Sequence, residues 1–264
     1  MASRTKQKEE ARARRMAEEQ SRAERARRQR RMQMLAGVVL AAVAVVAVAI
    51  AISSSGGSST KASPSAFRSA AATVDSQLAG IPQSGITLGS PSAKVTVTEF
   101  GDLQCPICRD FALGAEGQLI SNEVKAGKVK LVYKSLMTAT GNSPNPSIFP
   151  TQQAAAYAAG AQSKAWNYIL TFYRSQGQEG TAYVNQGFLD GIAQAIPGLH
   201  FATWKTASAN PTYAAQVQTE QQQAAGRGFN STPTVVVQGP KGAAQPIVGN
   251  TDYGTLQSAI KSVS

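Results

Sequence analysis

The chain has 264 residues, a formal net charge of +11 at pH 7, two cysteines and one histidine. Residues 1–31 hold 12 of the 26 Lys and Arg residues, and the rest of the chain has no basic cluster interleaved with aromatic residues, which argues against nucleic-acid binding. Two cysteines and one histidine are too few for a structural zinc site, which needs about four ligands. We therefore expect neither a bound metal nor another cofactor.

Two segments at the N-terminus differ in composition from the rest of the chain. Residues 1–31 form a basic tail, and residues 35–52 are 18 consecutive Ala, Val, Leu, Ile and Gly residues. As a helix this run would be about 27 Å long, close to the thickness of a bilayer's hydrocarbon core. The positive-inside rule places the tail in the cytoplasm. We therefore predict a single-pass protein of the cell membrane, with a cleaved signal peptide as the alternative for the apolar run.

The folded domain is predicted to follow a short linker. Residues 53–65 are rich in Ser and Gly, which indicates a flexible connection. Residues 66–264 then form the domain, outside the cytoplasm. Its first element is an amphipathic helix, because apolar residues recur at helical spacing from Phe67 to Leu78.

A strand, helix and strand follow the first helix. Alternation over residues 94–100 predicts a strand that puts Glu99 on the same face as two valines, and therefore predicts that Glu99 is buried. One helix is expected after the cysteines, ending near Gly127, and a second strand covers residues 129–134. This order is typical of a unit whose two strands are parallel.

A long helical region separates these strands from the rest of the sheet, over about residues 150–228. The sheet resumes as a hairpin over residues 234–248, and a final helix covers residues 252–263. The predicted fold is α/β, with a helical insertion between the second and third strands. The helices predicted in the insertion cover residues 152–162, 164–176, 183–196 and 211–227.

The two cysteines, Cys105 and Cys108, enclose Pro106 and Ile107 at the start of a predicted helix. Free N–H groups and the helix dipole stabilise a thiolate at Cys105, and Cys108 is close enough to attack a mixed disulfide formed there. Pro106 suits the first helical turn. This pattern predicts a redox pair with Cys105 as nucleophile and Cys108 as resolving thiol. A structural disulfide and two unrelated thiols remain alternatives.

Three parts of the sequence resemble one family. Residues 89–108, which end in Cys-Pro-Ile-Cys, resemble the start of the DsbA-like branch of the thioredoxin superfamily. Residues 231–237, Ser-Thr-Pro-Thr-Val-Val-Val, resemble the cis-proline loop of that superfamily, and the helical region resembles its insertion. The resemblance covers about residues 67–264. It implies a thioredoxin-like fold, here preceded by a single transmembrane helix.

The resemblance also implies roles for particular residues. Pro233 would have a cis peptide bond and lie against Cys105, and the backbone at Thr232 would pair with an extended substrate. Glu99 would be a buried acid that exchanges a proton with Cys108. The nearby Asp102 is the alternative acid, although it is expected in a loop.

The activity implied by the resemblance is thiol:disulfide exchange. The expected reaction introduces disulfides into exported proteins that contain cysteines, with reoxidation by a membrane partner of the DsbB or vitamin K epoxide reductase type. Pro106 and Ile107 would tune the site, and Ile107 replaces the histidine of the best-known DsbA oxidants. The direction of electron flow is therefore open, so a reductase or isomerase and a non-enzymatic binding module are alternatives. His200 lies in the insertion and is not assigned to the site.

Overall fold

The computed structural model describes residues 63–264. The predicted basic tail, the predicted membrane span at residues 35–52 and most of the linker lie outside the described residues. Within residues 63–264, no helix is both long and apolar enough to cross a membrane.

Seven strands form one mixed sheet at the centre of the domain. In chain order they are β1 (Gln83–Ser84), β2 (Thr87–Leu88), β3 (Val95–Gly101), β4 (Val129–Ser135), β5 (Thr234–Gly239), β6 (Gly242–Ala243) and β7 (Ile247–Val248). The order across the sheet is β1-β2-β4-β3-β5-β6, and β7 also pairs with β5. β3 is parallel to β4 and antiparallel to β5. The predicted parallel pair is therefore confirmed, and β3 lies between the two other long strands.

Helices cover the sheet and form the insertion. The α-helices within residues 63–264 are α1 (Pro64–Leu78), α2 (Pro106–Leu113), α3 (Ala115–Leu119), α4 (Phe149–Gly160), α5 (Ala165–Arg174), α6 (Gln186–Ala195), α7 (Phe201–Ser208), α8 (Pro211–Gly226) and α9 (Tyr253–Val263). A π-helical turn at Ile120–Val124 extends α3. Short 3₁₀ turns at Ala139–Asn142 and Pro146–Ile148 lead from β4 to α4. In the sequence, five helices, α4 to α8, thus separate β4 from β5.

The prediction of a single helix after the cysteines is wrong, because the helix is interrupted at Gly114. This residue has φ −103° and ψ −102°, and it separates α2 from α3. A Cβ atom at this position would lie 2.8 Å from the carbonyl oxygen of Asp110, so only glycine allows so close an approach. The predicted helix at 183–196 also begins later, at Gln186. In the hairpin predicted over residues 234–248, the second strand is reduced to β7 (Ile247–Val248).

The β1–β2 hairpin, which the sequence did not predict, packs against the insertion. Gln83 accepts a hydrogen bond from the Trp166 backbone at 3.1 Å and donates to Asn167 Oδ1 at 2.7 Å. A Cβ atom at Gly160 would lie 2.6 Å from the carbonyl oxygen of Gly85. The close contact therefore depends on a glycine in α4.

The two faces of β3 contribute to different parts of the core. Val95, Val97 and Glu99 are buried on one face, as predicted, and the valines belong to the main apolar cluster together with both cysteines. Phe100 packs on the other face with Leu136, just after β4, and with side chains from β5 and α8. Glu220 of α8 accepts a hydrogen bond from the Ser135 N–H at 2.9 Å, which fixes the insertion to the end of β4.

Candidate active site

Cys105 occupies the N-cap position of α2. Its backbone is extended (φ −74°, ψ 121°), Pro106 is the first helical residue, and the Cys108 N–H donates to Cys105 Sγ at 3.4 Å. Proline fits this position because the first N–H groups of a helix have no partner within it. The predicted helix start is therefore confirmed. Cys105 Sγ lies where free N–H groups and the helix dipole stabilise an anion.

The loop before β5 lies opposite Cys105. In the pairing of β3 with β5, Phe100 is opposite Thr234, so the start of β5 lies beside the end of β3. The Thr232–Pro233 peptide bond is cis, as predicted. Cys105 Sγ lies 3.6 Å from the Thr232 carbonyl oxygen, to which it donates a hydrogen bond when it is protonated. The sheet thus brings the two distant motifs of the sequence into contact.

The two cysteines are free thiols that differ in acidity. A hydrogen bond from the Cys108 side chain, with further hydrogen bonds from Thr232 and from the Cys108 and Ile107 backbone, lowers the pKa of Cys105 from 9.0 to about 6, although burial of the thiol acts in the opposite direction. Burial raises the pKa of Cys108 well above its ordinary value, and the hydrogen bond to Cys105 and the charge of Glu99 add to this. At neutral pH Cys105 is therefore a thiolate and Cys108 a thiol.

Two carboxyl groups, rather than the one predicted, are buried behind the cysteines. Glu99 on β3 and Glu116 on α3 are each 1% exposed. Burial raises the pKa of Glu99 well above its ordinary value, and the Glu116 carboxyl and Cys105 raise it further. Burial also raises the pKa of Glu116, to about 8. The predicted burial of Glu99 is confirmed, and Glu116 is an addition to the site.

Asp102, the alternative acid, organises the loops around the site. Its buried carboxylate accepts five hydrogen bonds, which satisfy a charged group that burial would otherwise destabilise. The donors are the N–H groups of Gln104, Thr138 and Thr140 at 2.8 to 3.0 Å, the Thr140 hydroxyl and the Gln152 side chain. Asp102 therefore joins the loop before α2 to the loop after β4.

The Asp102 network continues to the cis-proline loop through Thr138. The hydroxyl oxygens of Thr138 and Thr232 are 2.5 Å apart. Thr232 in turn accepts the hydrogen bond from Cys105. Asp102 and Thr138 thus fix the distance between the redox pair and the loop opposite, a function that the sequence did not reveal for Thr138.

The insertion also contacts the redox loop directly. Gln176, just after α5, donates through Nε2 to the carbonyl oxygens of Leu103 at 2.8 Å and Cys105 at 3.0 Å. The loop before α2 is therefore fixed from the insertion as well as from the sheet.

Three exposed apolar side chains lie on segments that adjoin the redox pair and the cis-proline loop. Ile107 is 44% exposed, Met137 40% and Val248 60%. Met137 directly precedes Thr138, which bonds the cis-proline loop, and Val248 pairs with Thr234 at the start of β5. We call Ile107, Met137 and Val248 the apolar rim.

The structure brings the predicted site residues into one region and leaves His200 outside it. His200 is exposed before α7, and its backbone exchanges hydrogen bonds with the Gln162 side chain of the insertion. No group of three or more His, Cys, Asp or Glu side chains in residues 63–264 is placed to hold a metal ion. The residues brought together are Glu99, Cys105, Pro106, Ile107, Cys108, Thr232 and Pro233.

Comparison with known proteins places the chain in a family. The protein-family model described as Thioredoxin matches residues 82–262, which is more than half of the chain. The chain therefore belongs to the thioredoxin family.

Relatives and solved structures agree with this assignment. The chain is 24% identical over 180 residues to the "Probable disulfide bond formation protein D" of Bacillus anthracis, covering 66% of this chain and 76% of that protein. It is 25% identical over 155 residues to the "Disulfide bond formation protein D" of Bacillus subtilis (strain 168), covering 57% of this chain and 66% of that protein.

Two solved structures show the same fold. Oxidised BdbD from Bacillus subtilis superimposes with a TM-score of 0.57 at 22% identity, covering 69% of this chain and 97% of that one. DsbA2 from Pseudomonas aeruginosa gives a TM-score of 0.53 at 22% identity, covering 70% and 97%. Family, fold and redox pair together define a DsbA-like thiol:disulfide oxidoreductase.

Proposed function

We propose that this chain is a membrane-anchored, extracytoplasmic enzyme that introduces disulfide bonds into exported proteins. The proposed location rests on the basic tail at residues 1–31 and the apolar run at residues 35–52. This charge distribution favours a cytoplasmic N-terminus. The cysteines would then lie in a compartment where disulfides persist.

The observation that supports the oxidising direction is the environment of Cys105 Sγ at the N-terminus of α2, where it accepts a hydrogen bond from the Cys108 N–H at 3.4 Å and has a low pKa. Hydrogen bonds lower this pKa to about 6. Because a stabilised thiolate stabilises the dithiol form of the enzyme, the enzyme tends to pass its disulfide to a substrate. The histidine that Ile107 replaces is not required for this effect, since uncharged hydrogen-bond donors supply the stabilisation.

The proposed reaction begins with the Cys105–Cys108 disulfide. A client thiolate forms a bond to Cys105 Sγ, the bond between the two enzyme sulfurs breaks, and Cys108 leaves with the electron pair and takes a proton from Glu99. A second client thiolate then attacks the client sulfur of the mixed disulfide. Cys105 leaves as a thiolate, which its low pKa favours. The client is oxidised and the enzyme is left as a dithiol.

The cis-proline loop and the apolar rim form the proposed client-binding surface. Thr232 lies against Cys105, so an extended client segment that pairs with its backbone would place a cysteine at the nucleophile. The rim would contact apolar side chains that are still exposed in an unfolded client. A membrane partner of the DsbB or vitamin K epoxide reductase type would then reoxidise the enzyme. The names of the two Bacillus relatives support a role in disulfide formation.

Trapping of mixed disulfides tests the activity and the clients together. Cys108→Ala removes the resolving thiol, so client proteins should remain bound to Cys105 and separate from it only after reduction. The control is Cys105→Ala/Cys108→Ala, which should trap nothing. Absence of adducts from the single variant in its native compartment would favour a non-enzymatic binding module.

The redox potential of the Cys105–Cys108 pair tests the direction of electron flow between the enzyme and its clients. Equilibration of the wild-type protein with glutathione buffers should give a potential well above that of thioredoxin, which is about −270 mV. A value as low as that would support a reductase instead.

Membrane extraction and protease accessibility test the location. The full chain should remain in the membrane after alkaline extraction, and external protease should cleave the domain in cells whose outer layers have been opened. A domain that is protected under these conditions would contradict the proposed orientation.

A further inference from the structure

Two cations and two aromatic rings pack together on the sheet face that carries Phe100. The rings of Phe100 and Phe229 meet edge to face, with centroids 5.2 Å apart. The guanidinium carbon of Arg227 lies 4.6 Å from the Phe229 centroid and 5.9 Å from the Phe100 centroid. Lys134 Nζ lies 5.7 Å from the Phe100 centroid. The electron-rich ring faces attract both cations and hold them in place. We call these four residues the cation–aromatic stack.

The cis-proline loop joins the stack to the redox pair. Phe229 lies three residues before Thr232, whose carbonyl oxygen is 3.6 Å from Cys105 Sγ. Phe100 pairs with Thr234 at the start of β5. Three residues of extended chain span at most about 11 Å, so the stack lies close to the loop. A client strand advances about 3.3 Å per residue, so its side chains within about five positions of the reacting cysteine can reach the stack.

The protein does not neutralise either cation of the stack. The four ion pairs within residues 63–264 involve neither Arg227 nor Lys134. Lys134 donates instead to an uncharged amide oxygen at 2.6 Å. Glu220, the one acidic residue of α8, is 5% exposed, and both of its oxygens already accept hydrogen bonds from other groups. On α2, Arg109 and Asp110 pair at 2.9 Å and cancel each other's charge. The stack therefore adds unpaired positive charge next to the client-binding surface.

The position of Arg227 suits the binding of a carboxylate. Arg227 is exposed and directly follows the last turn of α8. Its guanidinium group is planar, and stacking on the Phe229 ring fixes the orientation of that plane. The N–H groups at the edge of the plane remain available for two parallel hydrogen bonds to one carboxylate. A side chain that is already held in place loses little conformational entropy on binding.

We propose that the cation–aromatic stack selects client segments that carry Asp or Glu within about five residues of the reacting cysteine. Arg227 binds the client carboxylate, and Lys134 adds to the positive potential that attracts it. Both residues determine specificity and are not catalytic, since neither touches the reacting sulfur atoms. The inference rests on the proposed thiol:disulfide exchange but not on its direction, because oxidation and reduction pass through the same mixed disulfide with the client.

The experiment compares client peptides that differ only in charge. Each peptide has two cysteines and a short run of Glu or of Gln, placed before the first cysteine in one pair of peptides and after it in another. The oxidised full-length protein in a neutral detergent is mixed with excess reduced peptide, and its reduction is followed by acid quenching, alkylation and mass spectrometry. Carboxylates also shift the pKa of a neighbouring peptide thiol. Each rate is therefore divided by the rate of the same peptide with the neutral disulfide of 2-mercaptoethanol.

The expected result is a preference for acidic peptides that salt removes. For at least one placement, the Glu peptide should react about threefold to tenfold faster than the Gln peptide at low ionic strength. The ratio of the two rates should fall towards one in about 0.5 M sodium chloride, because mobile ions screen exposed charges. A ratio of one for both placements at low ionic strength would overturn the proposal.

Variants of Arg227 separate the stack from the net charge of the domain. Arg227→Gln should lower the ratio to about half or less, whereas Arg227→Lys keeps the charge and should retain most of the preference. The control is Lys241→Gln, which removes an exposed lysine from the turn after β5, at the other end of that strand. This variant should keep the wild-type ratio. Equal losses in Arg227→Gln and Lys241→Gln would contradict a specific role of the stack.

Peptide binding tests the stack without the redox reaction. A fluorescent Glu peptide should bind the Cys105→Ala/Cys108→Ala protein more tightly than the Gln peptide does, as measured by fluorescence polarisation. Equal affinities of the two peptides would refute the proposed selection. Failure of the oxidase proposal would instead appear as missing client adducts or a low redox potential, and neither of these results would change the difference in peptide binding.

Discussion

The pKa of Cys105 can be tested by replacing the group that lowers it most. That group is the Cys108 thiol, which donates a hydrogen bond to Cys105. A hydrogen bond to a charged group contributes about 1.5–3 kcal/mol, and one pKa unit corresponds to about 1.4 kcal/mol. Because Cys105 is only 6% exposed, solvent does not replace the lost donor fully. Cys108→Ala should therefore raise the pKa of Cys105 by about one to two units.

The assay is the rate of alkylation by iodoacetamide as a function of pH. Cys105 is the only thiol left in the variant, so the reagent reports one site. The matched control is Cys108→Ser, whose hydroxyl still donates, and it should keep most of the lowered pKa. The wild-type midpoint is expected at about 6. The same midpoint in Cys108→Ala and the wild type would show that the backbone and Thr232 alone stabilise the thiolate.

Three further predictions concern stability. Since the folded state lowers the pKa of Cys105, the dithiol form gains stability as pH rises from about 6 towards 9 and loses it as pH falls through 6. The free energy of urea unfolding of the reduced minus the oxidised protein should rise by up to about 2 kcal/mol between about pH 6.5 and 8. A Cys105→Ser variant has no disulfide form, and its stability should gain correspondingly less over this pH range than that of the reduced wild type. Asp102→Asn should lower the free energy of unfolding, measured in urea, by about 1–3 kcal/mol, because at least one buried donor loses its acceptor. The control Asp110→Asn, at an exposed position, should lower it by less than about 1 kcal/mol. Equal effects of the two variants would contradict the hydrogen-bond network of Asp102. Gly160→Ala should lower the free energy of unfolding by about 1–3 kcal/mol, because the added methyl group would clash with the backbone of Gly85. Gly226→Ala, where nothing lies within 4 Å of the added methyl group, should leave stability unchanged or raise it. A larger loss of stability in Gly226→Ala than in Gly160→Ala would contradict the packing of α4.

Much of the fold follows from short-range patterns in the sequence. The alternation that predicted β3 also predicted the burial of Glu99, because a residue two positions after a buried valine shares its face. The cis bond at Pro233 was implied by the resemblance of its loop. These features are encoded in neighbouring residues, so no tertiary contact was needed to find them.

The missed features depend on tertiary contacts. β1 and β2 have two residues each, which is too short to show an alternation of apolar and polar residues. The helix α7 was missed because it buries only Trp204, so it has no apolar stripe at helical spacing. Glu116 did leave a signal, since Cys108, Ala112 and Glu116 recur at the spacing of one helix face. This signal was missed because Gly114 interrupts the helix between Ala112 and Glu116, and because a charged residue is expected at the surface. Only the tertiary structure shows that this carboxyl is buried.

The presence of Ile107 in place of a histidine affects how the reactivity of Cys105 depends on ionic strength. The largest contributions that lower the pKa of Cys105 are hydrogen bonds from a thiol, a threonine side chain and two backbone N–H groups, none of which is a full charge. Mobile ions screen interactions between charges over a Debye length of about 8 Å at physiological ionic strength, but they do not screen short hydrogen bonds in a buried site. The reactivity of Cys105 should therefore depend less on ionic strength than that of a thiolate stabilised by a charged side chain.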